Sequence, residues 1–410
     1  MPGRGSELRL KRDAAPASGC QAVLRLHTGP EADEIAILLR PDGARAPDAV
    51  LQAEAAYEAL VEALASHDAS VADVVGETLL LRDAARDLSR VLAVRERLLS
   101  SSGSASTAPA PSVVQQAPVE PGAAFEILVH ASAPRDRDAW SVRDVRAPSA
   151  CACEACRLSG ARLVRLGEQL SLHTTSLHGV GEDALAEASD MFHAAERLLE
   201  QGGMGFRDVV RTWVHLRDID RDYDTFNRAR RAFFRSRGID LAPASTGIQG
   251  APCSNAHTFS LRLGAVKLPR PLDVRGMSTP LLNEAWRYGA DFSRGLRVVE
   301  TNGITLHVSG TASIDEGGST VHLGELEAQA ERMLDNVESL LSGEGATFES
   351  LLSGIAYVKR ASDVQILRGV ARRRGFDGFP LAIVEAGLCR PELLCEVEVV
   401  AMLPRSPEAR

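Results

Sequence analysis

Two carboxylates stand at alternate positions in an apolar segment near the end of the chain. The segment Leu393 to Met402 is rich in β-forming residues, and Glu396 and Glu398 interrupt it. Because side chains in a strand alternate between faces, both carboxylates point to one face, opposite to Val397 and Val399. Such a pair is typical either of the solvated rim of a half-exposed strand or of a carboxylic acid tuned for catalysis.

Burial would make Glu396 a proton donor. An apolar environment raises the pKa of a carboxyl group because it disfavours the charged form. Leu394, Val397 and Val399 are predicted to supply this environment. A carboxylic acid that is still neutral near pH 7 can act as a general acid. Glu398 is the alternative donor on the same face, or it holds a charge or a water molecule.

A tyrosine and an arginine on one predicted helix could bind an anionic ligand. Arg230 follows Tyr223 by seven residues, which places both side chains on roughly the same helix face. Arginine binds carboxylates through two parallel hydrogen bonds, so it suits an anionic ligand. The same helix is rich in arginine, however, and a solvated basic face is the alternative interpretation.

Three of the seven cysteines lie close together, at Cys151, Cys153 and Cys156. The spacing of the last two is that of a zinc half-site. The candidates for a fourth ligand are His173, His178 and Cys253. Since no second paired half-site follows, plain thiols in an interdomain loop are the preferred interpretation, and the sequence predicts no metal centre.

Composition limits the classes of function. The 410 residues carry a formal net charge of -9, which argues against nucleic acid as a partner because phosphate binding needs a basic face. No segment approaches the ~18 apolar residues of a membrane span, and the basic N-terminal residues do not show the apolar core expected of a signal peptide. The odd number of cysteines favours reduced thiols. We therefore expect a cytoplasmic monomer or weak homo-oligomer with no membrane partner.

The elements that must position these residues recur three times along the chain. In the third copy, a strand pair ending with Ile304 to Ala312 leads into a long helix from about Gly324 to Leu341. A strand from Ile355 to Lys359, a helix after Asp363 and the strand with Glu396 complete this copy. The same order returns in the middle of the chain and, less regularly, at its beginning. The pattern predicts an α+β protein built from three tandem repeats.

This order also predicts the division of the chain. The regions are a degenerate N-terminal domain (1–133), a linker with the three cysteines (134–160), a central domain (161–270), a connector (271–297) and a C-terminal domain with the glutamate (298–410). The Ser/Ala/Pro-rich segment 100–110 is interpreted as a loop inside the first domain. The reason is that the segment 123–130 behind it repeats the closing strand of the third copy.

The order of elements resembles the Rid (YjgF-like) family, which has a chorismate mutase-like α+β sheet with two helices on one face. Its members are trimers with sites between subunits, so the resemblance implies that the three repeats form an intramolecular pseudo-trimer. Members that hydrolyse enamines and imines carry an arginine in a Pro-Ala-Arg-Ser type segment. The matching segments here, which begin at Pro109, Pro243 and Phe379, lack this arginine. This departure weakens the hypothesis of an enamine or imine hydrolase.

A narrower resemblance, to the chorismatase family, covers Gly160 to Leu403. It rests on five motifs in order: Arg211-Thr212-Trp213; Tyr223, Phe226 and Arg230; Pro243 to Ile248; Tyr288-Gly289 with Phe292-Ser293-Arg294; and Cys389 to Glu396. Family enzymes remove the enolpyruvyl group of chorismate as pyruvate, with neither a metal nor an organic cofactor. The resemblance implies a chorismate-cleaving lyase or hydrolase that has a small dicarboxylate, chorismate, as its partner and uses no cofactor.

The resemblance also implies roles for individual residues. Glu396 would protonate the methylene carbon of the enol ether, and Arg230 would bind a substrate carboxylate. The other predicted substrate-binding residues are Tyr223, Thr246, Gly247, Gly250, Arg294, Arg368 and Glu398. Arg368 is the nearest candidate for a second family arginine, although the strict match falls on Gly369.

Two residues bear on the product. Attack of water on the oxocarbenium-like state gives a dihydroxycyclohexadiene carboxylate, whereas attack of the ring hydroxyl leads to 3-hydroxybenzoate. Members of the second kind resemble one another in a cysteine before the glutamate and a glycine after the Thr-Gly-Ile segment, and Cys389 and Gly250 occupy these places. We therefore expect 3-hydroxybenzoate, with Cys389 as a second catalytic residue. A small buried cysteine, the hydrolytic product and a non-catalytic metabolite-binding protein are the alternatives.

Overall fold

A computed structural model describes residues 8–12, 19–46, 48–100, 108–147, 149–270, 273–284 and 291–405. In these ranges the chain forms three β-sheets. We call each sheet with its helices the N-terminal, central or C-terminal unit. The motif Tyr288-Gly289 lies outside the described residues. No helix in the described part of the chain combines the length and the apolar character needed to cross a bilayer.

The N-terminal unit has a six-stranded sheet of order β1-β2-β3-β7-β4-β5. Its elements are β1 (Leu8–Arg12), β2 (Cys20–Thr28), β3 (Ala32–Pro41), α1 (Ala49–Ala65), β4 (Val74–Leu81), α2 (Ala84–Ser100), β5 (Ser112–Gln115), β6 (Ala117–Pro118) and β7 (Phe125–Pro134). The helices bury one face each, with Leu60 and Leu88 in the core against the sheet. The short strand β6 leaves this unit and pairs with the sheet of the C-terminal unit.

The central unit has the sheet order β8-β9-β10-β13-β11-β12. Its elements are β8 (Trp140–Arg146), α3 (Glu154–Arg157), β9 (Gly160–Leu166), β10 (Gln169–Thr174), α4 (Ala184–Gln201), β11 (Val209–Leu216), α5 (Ile219–Arg237), β12 (Ala244–Gln249) and β13 (Phe259–Lys267). Phe192 on α4 stacks on Phe226 and Phe233 of α5. These aromatic contacts hold the two helices together on one face of the sheet.

The C-terminal unit has the sheet order β14-β15-β16-β19-β17-β18, to which β6 adds a seventh strand. Its elements are β14 (Val274–Gly276), β15 (Gly295–Val299), β16 (Ile304–Ala312), α6 (Leu326–Ser342), β17 (Leu351–Val358), α7 (Val364–Arg373), β18 (Leu381–Glu385) and β19 (Cys395–Leu403). The apolar face of α6, including Ala330, Leu334 and Val337, is buried against the sheet.

The three sheets share one topology, which fits the predicted repeats and the mixed α+β class. In each unit the closing strand (β7, β13 or β19) lies between the same two neighbours. In each unit the strand that follows the long helix (β4, β11 or β17) pairs with the closing strand and carries a bulge at the same place. The bulged residues are Val75, Val210 and Leu352. The shared register places Glu126, Ser260 and Glu396 at the same position of their closing strands.

The predicted linker and connector differ from the structure. Residues 134–160 contain β8, which pairs with β9 along its whole length. Residues 271–297 contain β14 and the start of β15, which pair with each other. Both segments are edge strands of the flanking sheets, and their alternation is too short and too polar to stand out in the sequence.

An internal cavity of about 560 Å³ lies where the three sheets meet. His130, His173 and His307 line it, one from each unit. They lie at equivalent rungs, since His130 pairs with Ala36, His173 with Gly264 and His307 with Val400. Glu396 does not line this cavity, but Arg211 and Trp213 of the central unit do. The cavity is therefore a feature of the junction between the units.

Candidate active site

Glu396 projects from the C-terminal sheet toward the central unit. In β19 it lies opposite Ala312 of β16 and Tyr357 of β17. Val397 and Val399 belong to the apolar core beneath the helices, so the two glutamates share the other face of the sheet. The predicted alternation is confirmed, and it directs Glu396 to an interface between two units.

A bulge in β16 shapes the space beside Glu396. Val308 pairs with Val399 but Thr311 pairs with Val397, so the two residues between them face one residue of β19. One of the two is Gly310, where an added Cβ atom would overlap Oε1 of Glu396. Bulges are common next to active sites because they redirect the strand locally. The bulge, together with the missing side chain at Gly310, therefore leaves space for the Glu396 carboxyl group.

The same bulge docks the C-terminal unit onto β12 of the central unit. The Ser309 hydroxyl accepts a hydrogen bond from the Ser245 amide (2.8 Å) and donates one to the Ser293 carbonyl (2.6 Å). The Gly310 amide donates to Thr246 Oγ1 (3.0 Å). Thr246 is therefore beside Glu396, as expected from the sequence, but its hydroxyl already serves the contact between the units.

The Glu396 carboxyl is buried and neutral near pH 7. Its residue is 5% exposed, and burial together with the charge of Glu398 raises its pKa to about 8. Arg211, Arg294 and Arg390 act in the opposite direction, since their charges favour the carboxylate. A carboxylic acid held neutral beside cationic groups can donate a proton while an anionic ligand occupies the cations.

The source of this burial differs from the sequence prediction. Val397 and Val399 lie in the core on the opposite face of the sheet, and Leu394 packs against that core. The desolvation instead comes from the opposing central unit and from Gly310, whose Cβ position lies between Glu396 and the Thr246 methyl group. The prediction of an apolar strand environment is therefore wrong, because docking of the two units buries Glu396.

Glu398 forms an ion pair with Arg211. Its carboxylate accepts hydrogen bonds from Arg211 Nη2 and Trp213 Nε1, both at 2.6 Å. Arg211 also donates to Thr246 Oγ1 at 2.6 Å. This buried ion pair joins β19 to β11 and β12, and it sets a fixed negative charge two residues from Glu396.

Arg230 and Arg294 flank one aromatic ring. Their guanidinium groups lie 5.9 and 5.7 Å from the centre of the Phe292 ring. Arg230 is only 4% exposed, so the alternative of a solvated basic face is wrong. Arg294 donates to the Asn283 carbonyl at 2.8 Å. Two oriented arginines near a neutral acid form the kind of site that binds a dicarboxylate.

Tyr223, Gly247 and Cys389 form a second side of the site. The absence of a side chain at Gly247 lets the Tyr223 ring approach, since a Cβ atom there would lie 3.2 Å from it. Tyr223 is hydrogen-bonded to the Cys389 sulfur. Burial and the charge of Glu396 raise the pKa of this thiol to about 12. Cys389 is therefore a neutral thiol that contacts the cores of both units.

Two curated relatives align with about half of the chain. Over 232 residues the chain is 30% identical to a 3-hydroxybenzoate synthase of Streptomyces hygroscopicus, in an alignment that covers 50% of this chain and 66% of the relative. Over 226 residues it is 28% identical to a chorismatase of Streptomyces rapamycinicus, covering 48% and 65% of the two chains. The chain is therefore similar in sequence to chorismate-cleaving enzymes over about half of its length. It spans slightly less than two thirds of the length of these two curated relatives.

A solved structure supports the similarity of fold. A chorismatase crystal structure at 1.08 Å resolution superimposes with a TM-score of 0.56 and 18% identity, covering 80% of this chain and 93% of that one. No protein-family model matches the chain. The similarity of fold covers 80% of this chain, whereas the sequence alignments cover about half of it.

Two predicted site residues contact the N-terminal unit. Arg368 forms an ion pair with Glu120 of the N-terminal unit. Gly250 packs against Val114 and His215, and a Cβ atom there would clash with the former. Both residues contact the N-terminal unit, and their roles in substrate binding remain predictions.

Sequence reasoning missed Arg211 and Arg390 as site residues. Arg390 donates to the Gly318 carbonyl at 2.8 Å, and its charge acts on Glu396. Both arginines belong to motifs that carried the resemblance to chorismatases. A rule that treats every arginine within such motifs as a candidate would have found them.

The three clustered cysteines lie outside this site. Cys151, Cys153 and Cys156 converge on His257. The predicted fourth ligands, His173, His178 and Cys253, are not in this group. That prediction is wrong because the loop between β12 and β13 brings His257 back to the cysteines, a contact that linear spacing does not reveal.

Proposed function

We propose that this protein cleaves the enolpyruvyl ether of chorismate to pyruvate and 3-hydroxybenzoate. The observation that carries the proposal is the buried Glu396 carboxyl, with a pKa of about 8, among cationic groups at the interface of the central and C-terminal units. The names of the sequence relatives support the substrate and the reaction. An acid-catalysed cleavage needs a neutral acid and cationic groups for the substrate, and Glu396, Arg230 and Arg294 supply these groups.

In the proposed reaction, neutral Glu396 protonates the methylene carbon of the enol ether. Arg230 and Arg294 bind the carboxylates of the substrate, which holds the methylene group against the acid and offsets the loss of the ligand's hydration. The oxocarbenium-like carbon then forms near two carboxylates, Glu396 and Glu398, whose negative charge stabilises it.

The ring hydroxyl then attacks the cationic carbon and loses its proton, which forms a cyclic ketal. The bond between the ring and the oxygen of this hydroxyl breaks, the neighbouring ring carbon loses its proton, and the ring becomes aromatic. The bond between the other oxygen and the side chain then breaks, which releases pyruvate and leaves that oxygen on the ring, where it takes up the hydroxyl proton. The atoms of pyruvate and 3-hydroxybenzoate together equal those of chorismate, so no water is consumed. The Glu396 carboxylate takes up the proton released by aromatisation, which restores the acid. The neutral Cys389 thiol occupies space that a water molecule would otherwise fill, so it favours internal attack over hydrolysis.

We also propose that the three units form an intramolecular pseudo-trimer, divided near residues 133 and 270. Equivalent registers, the common sheet order and the central cavity support this arrangement. The position of Glu396 is occupied by Glu126 in the N-terminal unit and by Ser260 in the central unit. Glu126 accepts a hydrogen bond from Arg40 at 3.1 Å. The three clefts are therefore chemically different, and we assign the reaction to the one with Glu396.

The test is incubation of purified protein with chorismate, followed by chromatography and mass spectrometry of the products. We expect pyruvate and 3-hydroxybenzoate in equal amounts. Glu396→Gln should reduce the rate by ~10³-fold, within the usual contribution of a general acid. Glu126→Gln is the matched control, since it changes the equivalent carboxyl in another cleft, and it should keep the activity.

Full activity of Glu396→Gln, or equal losses in both variants, would contradict the assignment of the acid. A dihydroxycyclohexadiene carboxylate as the main product would keep the acid but reject internal attack. Ligand-dependent thermal stabilisation without any product would indicate a binding protein.

A further inference from the structure

A second cluster of chemically reactive side chains lies in the central unit. One ligand atom each from Cys151, Cys153, Cys156 and His257 lies within 4.8 Å of all the others. The His257 Nε2 atom is 3.4 Å from Cys153 Sγ and 3.1 Å from Cys156 Sγ. Around a tetrahedral zinc ion, a thiolate sulfur and an imidazole nitrogen are about 3.6 Å apart, as follows from the usual bond lengths. The four side chains are therefore close to the geometry of a zinc site.

The local backbone supports the cysteine pair. Cys153 precedes the short helix α3, and its sulfur accepts a hydrogen bond from the Cys156 amide at 3.5 Å. This contact folds the Cys-x-x-Cys segment so that both sulfurs point to one side. Cys151 reaches the same side from the preceding residues, where its amide donates to Ser149 Oγ at 3.1 Å.

The histidine is oriented by its own neighbours. His257 Nδ1 donates to the Gly179 carbonyl at 3.1 Å, which leaves the lone pair of Nε2 facing the sulfurs. Zinc-binding histidines usually have such a partner on the second ring nitrogen. His178 stacks on the His257 ring at 4.6 Å and donates to the Phe259 carbonyl at 3.0 Å. His178 therefore supports the ligand ring and is not itself a ligand.

We propose that these four residues form a structural zinc site of the Cys₃His type. Three sulfurs and one imidazole suit zinc, whereas calcium and magnesium prefer oxygen ligands. With four protein ligands the coordination sphere is closed, which is typical of structural rather than catalytic zinc. The site goes beyond the proposed cleavage of chorismate, because none of its ligands belongs to the Glu396 site.

The zinc ion would fasten two loops of the central unit to each other. One is the cysteine segment between β8 and β9, and the other is the loop between β12 and β13. The second loop also contacts the N-terminal unit, where Gln115 and Ala251 form a β-bridge and Cys253 packs against the core. Zinc would therefore stabilise the interface between these two units.

The test is metal analysis of the full-length protein purified from zinc-supplemented medium without chelators. We expect one zinc ion per chain by mass spectrometry of the metal content, and loss of that zinc in Cys156→Ser and His257→Ala. Cys253→Ser is the matched control, because this cysteine lies in the same loop but outside the ligand group, and it should retain the zinc. Removal of zinc by a chelator should lower the Tm of the wild-type protein.

A second measurement covers variants that fail to fold. Chelator-treated wild-type protein titrated with Co²⁺ should develop the visible absorption bands of tetrahedral thiolate coordination, saturating at one ion per chain. Absence of stoichiometric zinc together with absence of these bands would overturn the proposal, as would equal zinc loss in Cys253→Ser. A disulfide between two of the three cysteines in the freshly purified protein would also overturn it. None of these measurements uses chorismate, so the outcome is independent of the proposed function.

Discussion

Two neighbouring glutamates on one face of β19 have different partners. Glu398 accepts hydrogen bonds from Arg211 and Trp213. For Glu396, burial and the charge of Glu398 outweigh the nearby arginines and raise its pKa to about 8. The fixed charge on Glu398 is thus part of what keeps Glu396 protonated.

The pH dependence of the reaction follows from this raised pKa. Glu396 is protonated, and therefore active as an acid, below pH about 8. We expect kcat/KM for chorismate to fall as the pH rises through this value, tenfold per pH unit at the alkaline end. A pH–rate profile measured from pH 6 to pH 10 checks this prediction, and a flat profile up to pH 10 would contradict it.

The same shift has a consequence for stability. Between the ordinary carboxyl pKa of 4.5 and about 8, the folded protein retains a proton on Glu396 that the unfolded chain releases. Folding stability contributed by this group therefore falls as the pH rises through that window. Glu396→Gln, which stays neutral, is expected to be at least as stable as the wild type at pH 8. Its loss of activity then does not result from unfolding.

At the scale of elements, the bulge in β16 is what distinguishes the Glu396 cleft. Among the described strand pairings, the corresponding pairs β3–β7 and β10–β13 have no register shift, whereas β16 is shifted between Val308 and Thr311. The extra residue brings Ser309 and Gly310 into contact with β12 of the central unit. One local irregularity therefore both docks the units and opens space for the acid.

The role of this bulge is testable with a single methyl group. In Gly310→Ala the new Cβ atom would overlap Glu396 Oε1, so the carboxyl must move away from the substrate. We expect kcat to fall by roughly 10²-fold, since misplacement by about 1 Å has this effect, with a small change in Tm. The measurement is steady-state kinetics combined with thermal unfolding.

Gly264→Ala is the control for this variant. It also lies in a strand, and an added Cβ atom there has no neighbour within 4 Å. It should keep near-normal kcat. If both alanine variants behave alike, the space at Gly310 is not specific to the reaction.

At the scale of the whole molecule, the junction of the three units contains partly buried histidines, and two of them are neutral in the folded state. Desolvation lowers the pKa of His173 and of His307 to about 3. Both line the central cavity, together with His130 from the N-terminal unit. His173 and His307 are therefore polar but uncharged near neutral pH.

Acid should destabilise the junction. Below the ordinary histidine pKa of about 6.5, the unfolded chain binds protons that His173 and His307 cannot bind in the folded state. The free energy of unfolding should therefore fall as the pH decreases from 6.5 toward 4. Thermal unfolding over this range is the measurement, and His307→Gln should show a shallower dependence of Tm on pH. An unchanged slope in this variant would contradict the assignment.

Much of the architecture was determined by the sequence alone. The three repeats, the alternation of Glu396 and Glu398 with the core valines, and the helices that cover each sheet all follow from local periodicity, which depends on residues close together in the chain. The residues on the chorismatase-like motifs, such as Arg230, Arg294 and Cys389, also came from the sequence. Short strands at the sheet edges, such as β8 and β14, escaped, because a strand of a few residues has little pattern.

The tertiary structure decided everything that depends on how the units dock. In the structure Arg368 and Gly250 contact the N-terminal unit. Arg211 and Arg390 lie near Glu396, and His257 lies among the cysteines. The tertiary structure also supplied the burial that raises the pKa of Glu396, which the flanking valines do not. These contacts join residues tens to hundreds of positions apart, and no period in the sequence encodes the distance between two separately folded sheets.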